Sequence, residues 1–323
     1  MALDGILADF LSDCDHLFRM EVRMRSMYLA AACVSLIACT VDAPDTSVTN
    51  QEIRTRNRLA SNRLASNRLA SNRLASNRLA SNSLSSTILL ANPETNDLML
   101  TEEGRDLYSY IVGCALPEGI TIEGNVPGAP NAAPPDFNYT CSGGHCVFSG
   151  ALGLAPRWAE HKLDNKGQGW VSACLLSRVN ANGIAEGISM RGRNDELAVS
   201  GDELVLFPAE EGAFYGNVFE DVPAENDDAW LALTTNACSG EDNFVAHDQA
   251  RDCATPNPAT DNTLTYCGFH YAGDCRDFTP AFPNPYACRG FSGSPDGYYM
   301  DCHRDAGGKG KKSREVITTY VAQ

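Results

Sequence analysis

Ten of the 13 cysteines in this chain lie between positions 114 and 302, and they constrain its fold more than any other feature. Ten is an even number, so five disulfides can close with no thiol left over. Disulfides persist in the oxidising surroundings of exported proteins. The sequence therefore predicts an exported domain stapled by disulfides. The candidate disulfide cysteines are Cys114, Cys174, Cys141, Cys146, Cys238, Cys253, Cys267, Cys275, Cys288 and Cys302.

A zinc site is the rival interpretation of the same cysteines. Cys141 and Cys146 bracket the stretch SGGH, which places His145 beside them. The sequence contains no Cys-x-x-Cys pair, and the separation of Cys267 from Cys275 is wider than in a usual zinc knuckle. We therefore predict neither a metal nor another cofactor.

The N-terminal residues 1–39 predict export and a lipid anchor. An uncharged run over 27–38 follows two arginines, as in a signal peptide, and it is shorter than the about 20 residues of a membrane-spanning helix. The run ends in LIAC, which resembles the lipobox of bacterial lipoproteins, so Cys39 is the predicted lipid-anchor residue; a buried core cysteine is the alternative. The aspartate-rich residues 1–19 are atypical of a signal peptide. They suggest a true start at Met20 or Met24, with a cytoplasmic extension as the alternative.

Residues 40–82 are predicted to form a spacer between the anchor and the domain. Residues 57–81 are five identical copies of NRLAS, and a degenerate copy begins at Asn82. A period of five rotates successive leucines by about 140° on a helix and alternates them between the faces of a strand. Neither element gains an apolar face, so we expect a flexible tether, with a transient helix or a four-sided solenoid as alternatives. Its arginines would attract anionic lipid head groups or only keep it solvated.

Residues 83–323 are the predicted exported domain, and their charge excludes one class of partner. They contain 15 basic and 33 acidic residues, a net charge of −18. Nucleic acid is a polyanion, so we predict no nucleic-acid binding. About 240 residues are enough to bury a sizeable core.

Two helices are expected in this domain. Thr101 can cap a helix over 101–114, where apolar residues form one stripe. A second helix over about 168–181 is apolar nearly all round and should lie in the core. A bridge between Cys114 and Cys174 would link the two helices, although the sequence fixes no pairing.

Short strands and loops make up the remainder. Paired glycines predict a tight hairpin over 138–148, which Cys141 and Cys146 could close. The last 86 residues hold six cysteines among many Gly, Pro and Asp, which indicates a loop-rich, cysteine-dense C-terminal lobe. The predicted fold class is α+β, with two core helices and short antiparallel strands. The strand candidates are 187–190, 213–219, 229–235 and 315–322.

Several stretches together resemble a family of cysteine-rich exported proteins predicted from myxobacterial genomes. The resemblance covers about residues 100–323 and implies secretion, with no assigned activity. The stretches are GWVSACLLSRVNANG, ISMRG (188–192), EEGAFYGNVF (210–219), YACRG (286–290) and YYMDCH (298–303).

No catalytic residues are predicted, and the chain's status as an enzyme stays open. GFSGS (290–294) differs at its last position from the Gly-x-Ser-x-Gly of serine hydrolases. Ser292, Asp301 and His303 could form a triad only if the fold assembled them. The acidic runs 194–196 and 220–228 lack the spacing of a calcium loop, so solvated loops are the better interpretation.

The predicted function is that of a lipid-anchored protein of the bacterial cell envelope, at the outer membrane or facing the periplasm. Phe291, Tyr298 and Tyr299 cluster near cysteines and are weak candidates for stacking on a cell-surface glycan or protein, with core packing as the alternative. The membrane partner would be reached through the lipid anchor. The alternatives are an exported hydrolase with an unconventional active site and a purely structural surface protein.

Overall fold

A computed structural model of the chain supplies the fold. It describes residues 52–56, 79–84, 99–134, 137–179, 185–220, 234–240, 255–261, 263–276, 288–293, 297–304 and 312–322. The helices are α1 (Glu102–Ala115), α2 (Asn165–Ser177) and α3 (Gly201–Leu206). The strands are β1 (Glu52–Arg56), β2 (Thr121–Asn125), β3 (Tyr139–Ser142), β4 (His145–Ser149), β5 (Ala185–Arg191), β6 (Ala209–Gly216), β7 (Thr235–Ser239), β8 (His270–Asp274), β9 (Cys288–Ser292), β10 (Tyr298–His303), β11 (Lys312–Ser313) and β12 (Val316–Val321).

Six strands form the central sheet, in the order β1-β5-β12-β6-β7-β8. Every neighbouring pair in it is antiparallel except β7 and β8, which run parallel. Two three-stranded sheets accompany it, in the orders β2-β4-β3 and β11-β10-β9. Helices and mainly antiparallel sheets together confirm the α+β class.

Layers cover both faces of the central sheet. Helix α2 packs against β6 and β12, and α1 packs on α2 and on the hairpin strand β4. Strand β10 packs against β12 on the other side. Side chains alternate along a strand, so Phe214 of β6 joins the large helical core while Tyr215 joins a smaller core with Tyr299. All eight residues of β6 are buried for this reason.

The sequence located both long helices, and their observed ends follow from capping. The Thr101 side chain accepts a hydrogen bond from the Gly104 amide at 3.1 Å, so α1 begins at the predicted place. Helix α2 begins three residues before the predicted start, because the Asp164 side chain accepts from the Gly167 amide at 2.7 Å. None of the helices in the described ranges is long and apolar enough to cross a membrane.

Four disulfides join described cysteines. Both pairings considered from the sequence are present: Cys114–Cys174 links α1 to α2, and Cys141–Cys146 closes the hairpin of β3 and β4. That hairpin turns at Gly143 and Gly144, whose φ angles of 59° and 80° suit glycine. Such a set of disulfides is typical of proteins that fold outside the reducing cytoplasm. The other two pairs are Cys238–Cys275 and Cys288–Cys302.

Two parts of the expected spacer belong to the folded body instead. Residues Glu52–Arg56 form β1, which pairs with β5 at the edge of the central sheet. At the other end, Leu79 and Leu84 are 5% and 0% exposed, and the Asn82 amide donates to the Leu79 carbonyl at 3.3 Å. A period of five gives no apolar face to a straight helix or strand, but a turn between two such leucines lets both be buried. Residues 57–78 lie outside the described ranges.

Candidate functional site

An open cleft of about 800 Å³ in the described ranges could receive a ligand. One wall is the chain from Gly153 to Gly167, and the other is the short helical turn Asp195–Leu197 with Asn194 before it. A second cleft of about 820 Å³ adjoins it and shares Lys162, Leu163, Asp164 and Lys166. We call the two together the α2 cleft, because both lie at the start of helix α2.

Hydrogen bonds and burial hold the wall of the α2 cleft in place. Trp158, in the 3₁₀ turn Pro156–Ala159, is 1% exposed and meets Phe219 edge to face at 5.7 Å between ring centroids. The Gln168 side chain donates to the Leu163 carbonyl at 3.2 Å. These contacts hold the wall in place, although its residues before helix α2 contain no strand and only one turn of helix.

Charged side chains of both signs line the α2 cleft. Arg157, His161, Lys162 and Lys166 are exposed on the first wall, and Asp195 and Glu196 face them from the second. The Asp164 carboxylate caps α2, so part of its charge already interacts with the positive end of that helix. In a domain whose residues 83–323 sum to −18, this wall is a local concentration of positive charge.

The sequence drew attention to the acidic run 194–196, and the fold brings that run to the same cleft as His161. It did not select Arg157, Lys162 or Lys166. A usable signal was present, because these residues place three of the domain's 15 basic side chains within ten positions. Their proximity to Asp195 could not be inferred, because it depends on the tertiary fold.

The three candidate aromatic residues do not form one exposed patch. Phe291 and Tyr299 are cross-strand partners with ring centroids 4.8 Å apart, while Tyr298 lies opposite Ser292 on the other face of the small sheet. Phe291 is 37% exposed, but Tyr299 is only 2% exposed. Core packing therefore accounts for Tyr299, and Phe291 is left as a single exposed ring.

Tyr299 belongs to a polar network around Glu210 of β6. Its hydroxyl donates to the Glu210 carboxylate at 2.6 Å and accepts from Arg276 Nε at 2.8 Å. Arg276 also donates to Glu210 at 2.7 Å and lies over the Phe291 ring at 4.7 Å. The network joins the end of β8 to β6 and β10, so it fixes the small sheet on the central one.

Burial sets the protonation of the tyrosines in this network. The pKa of Tyr299 and the pKa of Tyr320 are both raised well above the usual value of 10, by desolvation first. For Tyr299 the hydrogen bond to Glu210 comes next, and for Tyr320 the Glu210 charge. Both hydroxyls are therefore neutral at physiological pH and act as hydrogen-bond donors toward Glu210.

The residues of a hypothetical triad are not assembled. Ser292 pairs with Tyr298 at one end of the β9–β10 ladder, and its hydroxyl accepts from the Tyr298 amide at 3.0 Å. His303 pairs with Lys312 of β11, five residues further along β10. A strand advances about 3.3 Å per residue, so Ser292 and His303 are about 16 Å apart along the ladder.

Sulfur atoms form the one cluster in the described ranges that resembles a metal-ligand set. Ligand atoms of Cys238, Cys275 and Cys288 lie within 4.8 Å of one another. Cys238 and Cys275 are bonded together and Cys288 is bonded to Cys302, so none of these atoms is a thiolate that could bind zinc. Cys141 and Cys146, the candidates beside His145, are likewise bonded to each other.

Several predicted residues lie outside the described ranges. They include the lipid-anchor candidate Cys39, the disulfide candidate Cys253 and most of the acidic run 220–228. Cys267 is described and disulfide-bonded.

Comparisons of the chain with protein-family models, with curated proteins and with solved structures found no match.

Proposed function

We propose that this chain is a lipid-anchored protein of the bacterial cell envelope whose domain binds an anionic cell-surface glycan in the α2 cleft. The lipobox-like sequence ending at Cys39 supports the anchor, and the disulfides support a location outside the cytoplasm. Membership in the cysteine-rich exported family from myxobacterial genomes is part of the same proposal, and it rests on the stretches quoted from residues 100–323.

The charge of the α2 cleft is the observation that carries the binding proposal. Arg157, Lys162 and Lys166 concentrate on one wall of an open cleft in an otherwise acidic domain. A glycan with carboxylates on some of its sugars carries widely spaced negative charges. Each basic side chain of this wall can pair with one such carboxylate. Nucleic acid, by contrast, carries a charge about every 1.7 Å along its axis, and the net charge of −18 would repel it. The opposite wall can accept hydrogen bonds from sugar hydroxyls through Asp195 and Glu196.

The binding test compares two charge-reversed variants of the full chain. In the first, Lys162→Glu and Lys166→Glu reverse the cleft wall; in the second, Lys312→Glu and Arg314→Glu make the same change in charge at exposed positions elsewhere. Affinity for a soluble polyuronate is measured by titration calorimetry at low and at physiological salt, with dextran as the neutral reference.

We expect the cleft variant to bind the polyuronate at least tenfold more weakly than the control variant. The parent's affinity should fall as salt is added, because exposed charges are screened within about 8 Å at physiological ionic strength. Equal affinities of the two variants, or equal binding to dextran, would rule out the cleft as an anionic-glycan site.

The anchor is tested separately in cells. Radiolabelled palmitate should be incorporated into the parent chain and not into a Cys39→Ala variant, which should leave the membrane fraction. Incorporation that survives this substitution would contradict the anchor and leave the binding proposal unaffected.

A further inference from the structure

The last two pentapeptides of the repeat dock on the domain through their leucines. Leu79 is the central leucine of NRLAS (77–81), and Leu84 is the central leucine of the degenerate copy NSLSS (82–86). Both side chains are buried in the main core, together with Ala80 between them. The docked segment, residues 79–84, has the sequence Leu-Ala-Ser-Asn-Ser-Leu.

Main-chain atoms of the docked segment form hydrogen bonds with the domain. The Ala80 carbonyl accepts from the Leu163 amide at 2.8 Å, and the Asn82 carbonyl accepts from the Trp158 indole at 3.0 Å. The Leu84 amide donates to the Trp158 carbonyl at 2.8 Å. The groove at Trp158 and Leu163 therefore contacts two leucines, an alanine and main-chain atoms, and every copy of the repeat supplies these groups.

The unit Leu-Ala-Ser-Asn-x-Leu occurs five times in overlapping copies, beginning at Leu59, Leu64, Leu69, Leu74 and Leu79. The five units differ only at x, which is arginine in the four upstream units and Ser83 in the docked one. We propose that the groove at Trp158 and Leu163 is a binding site for this repeat unit, that upstream units of the same chain exchange into it, and that Ser83 favours the last unit.

Burial explains the preference for the last unit. Ser83 is 7% exposed, so an upstream unit in the groove must place an arginine where the docked segment places a small side chain. Burying a guanidinium is unfavourable, although the long aliphatic stem lets its charged end reach water at the margin. Upstream units are thus weaker occupants of the groove, but they are not excluded from it.

The occupant comes from the same chain because of its effective concentration. Neighbouring units share a leucine, and linkage within one chain gives an effective concentration in the millimolar range, well above that of a unit on another molecule. Each exchange by one unit transfers five residues from one side of the docked segment to the other. The segment that connects the groove to the N-terminal region therefore changes length in steps of five residues.

The test uses the full chain with Leu84→Asp, which removes the second anchor of the last unit. We expect the unit 74–79 to replace it, which places Leu79 in the Leu84 position and Arg78 in the Ser83 position. Trypsin cuts after arginine, and the bond after Arg73 would then lead into the docked Leu74, so cleavage there should slow at least tenfold relative to cleavage after Arg63. In the parent chain the bond that leads into the docked segment is the one after Arg78, and Arg73 should be cut at a rate similar to that of Arg63.

A matched background removes the upstream occupants. There Leu59, Leu64, Leu69 and Leu74 are replaced by Asp, which leaves the docked unit intact. Adding Leu84→Asp should now lower the thermal midpoint by several degrees more than it does in the parent, and it should leave the rate of cleavage after Arg73 unchanged. Equal losses in the two backgrounds, with cleavage after Arg73 unaffected by Leu84→Asp in the parent chain as well, would overturn the proposal.

A milder variant keeps the proposal testable if Leu84→Asp prevents folding. Ser83→Arg makes all five units identical and should divide the molecules among several registers. Trypsin would then cut after position 83 in two phases, fast in molecules whose last unit is undocked and slow in the others. A single slow phase would show that the register does not depend on Ser83 and would also overturn the proposal.

Discussion

Removing the Cys114–Cys174 disulfide should destabilise the domain more than removing Cys141–Cys146. The two bonds span 60 and 5 residues. A disulfide restricts the unfolded chain more when it closes a longer loop, and the loop-entropy relation gives about 4 kcal/mol for the first and about 2 kcal/mol for the second. The short loop lies within the long one, so the Cys141–Cys146 bond shortens the loop that Cys114–Cys174 closes. Shortening that loop by a few residues changes the stabilisation from the Cys114–Cys174 bond by only about 0.1 kcal/mol.

The two pairs are a fair comparison because all four cysteines are buried, with exposures between 0% and 4%. The small cavities left by alanine are therefore similar, and the difference of about 2 kcal/mol reflects mainly the loops. It corresponds to a gap of about 0.7 M between the urea midpoints, at an m value of about 3 kcal/mol per M.

The assay is urea unfolding of the Cys114→Ala/Cys174→Ala variant and the Cys141→Ala/Cys146→Ala variant without reductant, monitored by tryptophan fluorescence. Free-thiol titration verifies that the remaining bonds stay closed. Equal midpoints, or a lower midpoint for the hairpin variant, would refute the reasoning that loop length in the unfolded chain decides the ranking.

Three further predictions follow from single residues. Gly216→Ala should lower the free energy of unfolding by more than about 2 kcal/mol, because Gly216 has a φ of 144° and a Cβ there would meet the Thr234 carbonyl oxygen; Gly201→Ala, which meets nothing within 4 Å, should stay within about 0.5 kcal/mol in the same urea assay. Burial lowers the pKa of His270 from 6.5, so below that pH the unfolded chain binds a proton that the folded chain does not, and urea midpoints should fall from pH 7 to pH 5; an NMR titration that placed this pKa above 6.5 would contradict the sign. Burial and then the Asp106 charge raise the pKa of Tyr139 to about 12. The contribution of this tyrosine to the free energy of unfolding is therefore complete below pH 10 and is lost as the pH rises toward 12. Absorbance at 295 nm should show a late tyrosine transition that Tyr139→Phe removes.

Elements defined by nearby residues were predictable from the sequence. Thr101 and the apolar stripe after it located α1, and Gly143 with Gly144 located the hairpin, because caps and tight turns depend on contacts within a few residues. The strand candidate 315–322 matches β12 closely, whereas 229–235 overlaps β7 at its first residue and its part 229–233 lies outside the described ranges. The parallel pairing of β7 with β8 joins segments more than 30 residues apart, so no local pattern indicates it.

For the α2 cleft, too, the residues were visible in the sequence and their arrangement in space was not. The basic residues near α2 and the acidic run 194–196 are visible in the sequence, but the cleft between them exists only because the chain after β5 returns to the start of α2. The aromatic residues 298 and 299 are close in sequence, but the fold separates their side chains. Neighbours in sequence alternate between the faces of a strand, so Tyr298 and Tyr299 are separated by the sheet that contains both.

The sequence by itself determined the class of the domain, the even set of cysteines, the positions of the capped helices and the identity of the repeat, since these depend on composition and short-range spacing. The tertiary structure alone decided which cysteines meet, which charges share a cleft and where the spacer gives way to folded chain. Leu79 and Leu84 show the reason: a leucine every five residues has no partner within its own segment, and its burial depends on a groove formed by residues about 80 positions later.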